Sequence, residues 1–444
     1  MARAKKEASL TPEEHFQAAL VPDWEWPYKL PENWCWTYQK AVCSLSTGEK
    51  RIGNDYPYWE VKCLRGITLP QIVSSGNFVP VFSKVILVDG ENSGEVFTIL
   101  ASGYMGSTFK MLQISAVVFP KYLELFILSN KDVYRNRKTG SAIPHLNKEL
   151  FFSTPFPLPP LAEQQRIVDR IESLFAKLDE AKEKTQAVVD SFETRKAAIL
   201  HKAFTGELTA KWREERGVGM ESWEKRRINE LARPRAGYAF DSKKFSNTGY
   251  QVVRMGNLYG ETLDLFRKPV FISEDDVDDS ILNRALIKDG DILITLTGTK
   301  YKRDYGYAVC VSSPNKLLVN QRILCLTPFA CVERNYLLYY LKSNLFRDVF
   351  FSCETGGVNQ GNVSSKFVEN IEIPIPTFDE QLEIATVLDR TLAHEQQAKE
   401  AAEAVLDQIE LMKKSILARA FRGELGTNDP SEESAVELLK RTIL

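Results

Sequence analysis

PLPPLAEQQRIVDRIESLFAKLDEAKEKTQAVVDSFETRKAAILHKAFTGEL, residues 157–208, and PIPTFDEQLEIATVLDRTLAHEQQAKEAAEAVLDQIELMKKSILARAFRGEL, residues 374–425, are two copies of one element. They align without a gap at an offset of 217 residues: Pro159 matches Pro376, Glu163 Glu380, Gln164 Gln381, Phe204 Phe421, and Gly206-Glu207-Leu208 matches Gly423-Glu424-Leu425. A repeat of this length constrains the fold before any other feature does. Proline followed by acidic residues suits a helix start and its dipole. Gly206 and Gly423 suit the stop. Each copy reads as one long helix, and about 40 residues at about 1.5 Å each make a rod of about 60 Å.

In the first copy the seam positions run Ile167, Ile171, Leu174, Leu178, Ala181, Thr185, Val188, Phe192, Arg195, Ile199, broken only by Thr185 and Arg195. In the second they run Ile384, Leu388, Thr391, Glu395, Ala398, Ala402, Val405, Ile409, Met412, Ile416. Alternating steps of four and three give a period of 3.5, the spacing of a coiled-coil seam. Two matching rods in one chain predict an antiparallel coiled coil and a pseudo-two-fold molecule. Ile171, Leu178, Val188, Phe192, Ile199, Leu388, Val405, Ile409 and Ile416 are assigned to that pairing.

Working outward, each rod follows a globular block, 30–156 before the first and 216–373 before the second. Short alternating strands such as VPVFSKVILV (79–88) and GDILITLTGT (290–299), cut by Gly, Asn and Pro turns, predict α+β globules. The organisation expected is an N-terminal extension (1–29), first globule (30–156), central helical spacer (157–215), second globule (216–373), C-terminal helix (374–425) and a tail (426–444). A chain of 444 residues has room for such a plan.

Composition excludes several classes. No run of 18 apolar residues suggests a membrane span, and the opening MARAKKEASLTPEEHF has no apolar stretch of a secretory signal, so a cytoplasmic location is expected. Seven scattered cysteines with no CxxC, beside only four histidines, argue for reduced thiols and against a zinc site. The net charge of −2 hides local asymmetry. Residues 296–322 carry Lys300, Lys302, Arg303, Lys316 and Arg322 against Asp304 alone, whereas 261–291 are mostly acidic.

The duplicated frame, PLPPLAEQQRI (157–167) and PIPTFDEQLEI (374–384) with the exits AFTGEL (203–208) and AFRGEL (420–425), resembles the specificity subunits of type I restriction-modification systems. Weaker matches lie in the globules, at LPENWCW (30–36), SGYMGSTF (102–109), GSAIPHLN (140–147), GDILIT (290–295), VNQRI (319–323) and GGVNQGN (356–362). The resemblance spans about Leu30 to Leu425. It implies two target-recognition domains, each reading one half of a split double-stranded DNA site, with the helices setting the gap between halves. It also implies partners: two methyltransferase subunits docked along the helices, each methylating a flipped adenine, and two ATP-driven restriction subunits. The off-seam Phe175, Leu392 and Leu406 and the exits Phe204 and Phe421 are the residues expected to dock partners.

No GxxxxGK[ST] loop, amino-methyltransferase tetrapeptide or Gly-rich loop for S-adenosylmethionine occurs. S-adenosylmethionine, and ATP with Mg, are therefore expected on partners, and the chain itself is expected to be non-catalytic. A self-contained methyltransferase or nuclease would need a catalytic signature; Gly48-Glu49-Lys50 with Asp23 upstream is too common a pattern to count. A coiled-coil scaffold binding protein would leave two unlike globules in one symmetric frame unexplained.

Candidate DNA contacts follow from charge and turn chemistry. In the first globule Arg135, Arg137, Lys138, Thr139, Ser141, His145 and Asn147 gather on one Gly-containing loop, and Lys110 follows a Gly-rich turn. In the second, Thr297, Thr299, Lys300, Lys302 and Arg303 interleave with tyrosines, while Asn359, Gln360 and Asn362 offer amides suited to adenine. Asn320-Gln321-Arg322 reads as a brace of the fold rather than a base contact.

Overall fold

The computed structural model describes residues 11–139, 144–260, 262–357 and 359–443. The chain divides into two compact units that cut through the repeated helices: one takes the chain up to Thr185 and again from Ala404, the other is Gln186–Glu403.

Both globules begin and end on the same frame. In the first unit Cys35–Tyr38 pairs antiparallel with Pro155–Leu158, Cys35 opposite Leu158. One helical turn, Gln39–Val42, leads to the edge strand Cys43–Ser46. In the second unit Glu224–Arg227 pairs antiparallel with Glu372–Ile375, and the turn Ile228–Leu231 leads to the edge strand Ala232–Ala236. The edge strands open four-stranded antiparallel sheets. These run Cys43–Ser46, Phe109–Ile114, Lys84–Leu87, Val96–Thr98 in the first unit, and Ala232–Ala236, Ile323–Pro328, Ile292–Thr295, Ala308–Cys310 in the second. Beyond the frame they differ. The first unit inserts the hairpin Glu49–Trp59 and Gln71–Val79, closed by Gly103–Met105; the second inserts another sheet around Tyr250–Val253 and Leu317–Val319. The α+β reading of the globules therefore holds.

The repeated helices depart from one expectation. The second copy is unbroken from Phe378 to Phe421, but the first is interrupted at Ser191, between Leu161–Asp190 and Phe192–Phe204. Ser191 Oγ donates to Ala187 O at 2.8 Å, and Arg195 Nη1 donates to Val188 O at 3.2 Å. Side chains that compete for helix carbonyls in this way bend helices.

The assigned seam also needs correction at its middle. Val188 and Val405 are 41% and 43% exposed. The inward places go to Val189 and Leu406, which are half-buried and equivalent within the repeat. At this place each copy turns the following residue inward, while Phe192 and Ile409, four positions beyond Val188 and Val405, keep the assigned seam. Ile171, Phe192, Leu388 and Ile409 are buried, while Leu178, Ile199 and Ile416 are half-buried.

Phe204 and Phe421, expected to face a partner, are instead core residues. Within the second unit Phe204 sits edge-on to Tyr336 and Tyr340, with centroids 5.4 and 5.1 Å away. Within the first, Phe421 meets Tyr122 and Phe126, both at 5.2 Å. Such edge-to-face pairs add to the apolar burial, and neither ring remains for docking. Phe175 and Leu392 are half-buried against the same two cores. Gly206 and Gly423 adopt φ of +83° and +78°, the left-handed stop expected of them.

The EQ pair of each copy binds its surroundings. Gln164 Oε1 accepts from Phe119 N at 2.7 Å, and Gln381 Oε1 accepts from Glu333 N at 2.9 Å. Phe119 and Glu333 precede the helices Pro120–Ser129 and Arg334–Lys342, so each glutamine fixes a globule helix to a long one. Glu163, fully buried, accepts from Asn428 N and Thr427 Oγ1, each at 2.9 Å, and from Arg166. Thus the tail beyond the second repeat is bound into the first unit, where Ala435 and Leu439 are also buried.

Burial alone would raise the Glu163 pKa, but the bonds from Asn428, Arg166 and Thr427 outweigh it and hold the carboxyl below its ordinary value. With the folded pKa below the unfolded one, the stabilisation is complete above about pH 4.3 and is lost as pH falls through the depressed value. Glu163→Gln is therefore expected to flatten the fall of melting temperature below about pH 4.3. An unchanged acid limb would mean that other carboxylates carry it.

Candidate nucleic-acid interface

In the first unit the predicted loop folds back on residues 89–91. Gly90 N donates to Pro144 O at 2.7 Å, and Thr139 pairs with His145 through both backbone bonds. Lys138 Nζ lies 2.7 Å from Glu91 O and 2.9 Å from Glu91 Oε2. His145 Nδ1 lies 2.7 Å from Asp89 Oδ1. Asn147 caps the helix Lys148–Ser153, its Oδ1 accepting from Leu150 N at 3.1 Å. Three of the predicted side chains, those of Lys138, His145 and Asn147, thus have structural partners inside the protein. Arg137 is exposed; Arg135 is half-buried on Lys131–Asn136, with its Nε lacking a partner. Lys110 is half-buried in Phe109–Ile114, opposite Ile86. Ser141 lies outside the described residues.

The long hairpin of this unit carries signals the sequence reading did not use. Ile52 and Ile72 are 78% and 64% exposed on its two strands. The Arg51 guanidinium lies 3.9 Å from the Phe78 ring centroid and 2.7 Å from Glu49. Glu49 and Lys50, weighed earlier as part of a nuclease pattern, sit on this exposed strand. Among the described residues no group of three His, Cys, Asp or Glu is placed to hold a metal ion.

In the second unit the predicted residues converge. Thr297-Gly298 pairs antiparallel with Gly361-Asn362, bringing the basic turn and the amide turn side by side. Lys300 Nζ donates to Gly356 O at 3.0 Å, and Tyr305 Oη donates to Glu354 Oε1 at 2.7 Å. Asp304 Oδ1 accepts from Thr299 N at 2.7 Å. Burial would raise the Asp304 pKa, but the bonds from Thr299 hold it below the usual aspartate value. Arg303 pairs with Asp348 at 2.8 Å, leaving Lys302 exposed on the turn.

These two turns form one wall of a cleft of about 690 Å³, lined by Thr297, Thr299, Asn359 and Gln360 and, from elsewhere in the unit, by Tyr259, Arg267 and Arg322. A smaller hollow of about 470 Å³ adjoins it, sharing Thr297, Arg322 and Gln360 and reaching Asn362. Tyr259 is 61% exposed, with the Arg267 guanidinium 5.7 Å from its ring centroid. The sequence reading missed Tyr259, and also Arg267, which lies in the acidic stretch 261–291. Asn320-Gln321-Arg322 reads as a brace, and that is half the answer. The backbone does brace, with Asn320 N on Val253 O and Leu296 N on Arg322 O, both at 3.0 Å. The Arg322 side chain meanwhile lines the cleft. A concave surface with cationic, amide and aromatic groups is suited to nucleic acid.

Residues 39–190 and 220–404 match the family model for the type I restriction modification DNA specificity domain. The chain is 26% identical over 335 residues to the type I restriction enzyme EcoKI specificity subunit of Escherichia coli K12, covering 72% of this chain and 68% of that one. It is 26% identical over 403 residues to the MjaVIII specificity subunit of Methanocaldococcus jannaschii, covering 83% and 86%. Among solved structures, one from work on the assembly and conformational transition of the type I R-M system shares the fold at a TM-score of 0.69. It is 19% identical, and the match covers 90% of this chain and all of that one. The HsdS subunit from Thermoanaerobacter tengcongensis matches at 0.58 and 20% identity, over 90% and 99%.

Proposed function

The chain belongs to the family of type I restriction-modification DNA specificity subunits, and from that premise we propose how its two units divide the work. Each globule reads one half of a split, asymmetric DNA site. The paired helices hold the halves at a set spacing and dock the methyltransferase subunits. The chain performs no chemistry: S-adenosylmethionine is bound by two methyltransferase subunits, and ATP with Mg by two restriction subunits, in the cytoplasm. Among the described residues no helix is long and apolar enough to cross a membrane.

The observation that carries this reading is one frame used twice around unlike inserts. The same ribbon, helical turn and EQ-anchored helix appear in both units, while the residues between them differ in fold. A shared frame with divergent inserts is what two readers of different half-sites require. Antiparallel helix pairing is supported by contacts inside each unit. Lys182 meets Glu410 at 2.6 Å and Asp179 meets Lys413 in the first; Arg195 meets Glu395 at 2.7 Å in the second. Arg195 and Glu395 are the two charged interruptions of the apolar pattern, and they neutralise each other. With Phe204 and Phe421 buried, docking falls to apolar residues still exposed on the helices, Leu382, Leu411 and Met412 at 51%, 64% and 49% exposure.

Mapping methyladenine across a genome with and without this chain, its methyltransferase partner present in both, tests the reading. A split motif methylated only when the chain is present is expected. Methylation or cleavage by the purified chain alone would overturn it. The spacing role has its own test. Inserting four residues immediately before Gly206-Glu207-Leu208 adds about 6 Å of helix. The methylated motif should keep both halves and gain one or two base pairs between them. Altered halves at constant spacing would refute the ruler.

A further inference from the structure

Most cations around the second unit's cleft are engaged by the protein itself. Lys300 donates to Gly356 O, Arg303 is paired with Asp348, and Arg267 lies over Tyr259. Arg322 differs. Its backbone is held on both sides: its own carbonyl accepts from Leu296 N at 3.0 Å, Gln321 N donates to Tyr238 O at 3.0 Å, and Ile323 is fully buried. Its guanidinium has no hydrogen bond or ion pair among the described residues. It also lines both the cleft and the adjoining hollow, with Asn359 and Gln360 on the walls.

A fixed stem with an uncommitted planar fork is the arrangement that recognises a flat edge with two acceptors. Guanine presents O6 and N7 in that geometry in the major groove. The neutral amides and Thr297 beside it add little attraction for phosphate but can pair with base edges. Lys302, exposed on the turn outside, has the setting of a backbone contact instead.

We propose that Arg322 is a specificity-determining residue, reading one guanine of the half-site bound by the second unit, with Lys302 contacting phosphate. This rests on the reading of the chain as a DNA specificity subunit.

The test uses the chain assembled with its methyltransferase partner, after the wild-type motif is mapped. Binding is measured to the motif and to duplexes changed at each position in turn. Arg322→Gln should lose discrimination at a single G·C pair of one half-site, on the order of tenfold to hundredfold, with every other position unchanged. Arg322→Lys keeps the charge but lacks the fork, and should lose discrimination at the same pair. Lys302→Ala should weaken binding to all sequences alike and reduce the salt slope by about one. If Arg322→Gln weakens all duplexes equally, or if Arg322→Lys discriminates as wild type does, the guanine assignment is overturned. Should the glutamine variant unfold, the lysine variant alone decides. A wild-type complex with no sequence preference at all would overturn the parent reading, an outcome distinct from a motif that simply ignores Arg322.

Discussion

Replacing residues 223–373 with the corresponding block of another family member is expected to change one half of the methylated motif completely and leave the other half and the spacing as they were. The block begins and ends on the ribbon Glu224–Arg227 with Glu372–Ile375, so its two ends leave the frame side by side. Both sheets and the cleft of the second unit lie between them. A graft must supply an aromatic pocket for Phe204, as Tyr336 and Tyr340 do here, and a backbone N–H for Gln381, as Glu333 does. Each mismatched base pair typically costs about 1–3 kcal/mol, so several changed positions exchange one site for another. Sequencing of methylated sites reads the outcome. Changes in both halves, or a shifted gap, would mean that the globules do not read independently.

Glu380→Ala should strongly destabilise the second unit. The Glu380 carboxylate is fully buried and binds Arg213 at 2.5 Å, Thr209 Oγ1 at 2.7 Å and Trp223 Nε1 at 3.0 Å. Removing it strands the Arg213 guanidinium, whose side chain is only 8% exposed, with Gly206 O and Thr209 as its remaining partners. Breaking a buried pair in this way costs about 3–5 kcal/mol, a large share of the roughly 5–15 kcal/mol that holds a domain folded. The equivalent Glu163→Ala should cost less, because Arg166 is 36% exposed and keeps Glu432 at 2.8 Å. Denaturant titration of both variants checks the ranking. Equal losses, or a loss for Glu380→Ala below about 1 kcal/mol, would refute the assignment of Glu380 as the anchor of the unit.

The repeat, its helical character, its proline starts and its glycine stops were all readable from residues alone. So were the α+β globules and the family. Those features come from interactions a few residues apart: caps, dipoles, turn conformations and the period of the apolar positions. Within the site, the pairing of the two turns at 297–298 and 361–362 followed from neither motif, although both were singled out. Which cations remain available was not readable either. Lys138, Lys300 and Arg303 look alike on a charge count, yet each is tied to a residue more than forty positions away.

What the amino-acid sequence determined without help was the plan: two like helices, two unlike globules, and the absence of a recognisable catalytic motif. Tertiary structure alone decided that the EQ residues bind neighbouring segments as well as starting helices, that the exit phenylalanines fill aromatic cores, and that Arg322 rather than Lys300 or Arg303 is left uncommitted in the cleft. The division has a physical cause. Helix starts, stops and periods are set by neighbours along the chain, whereas burial and the neutralisation of a charge depend on groups that only folding brings within a few ångströms.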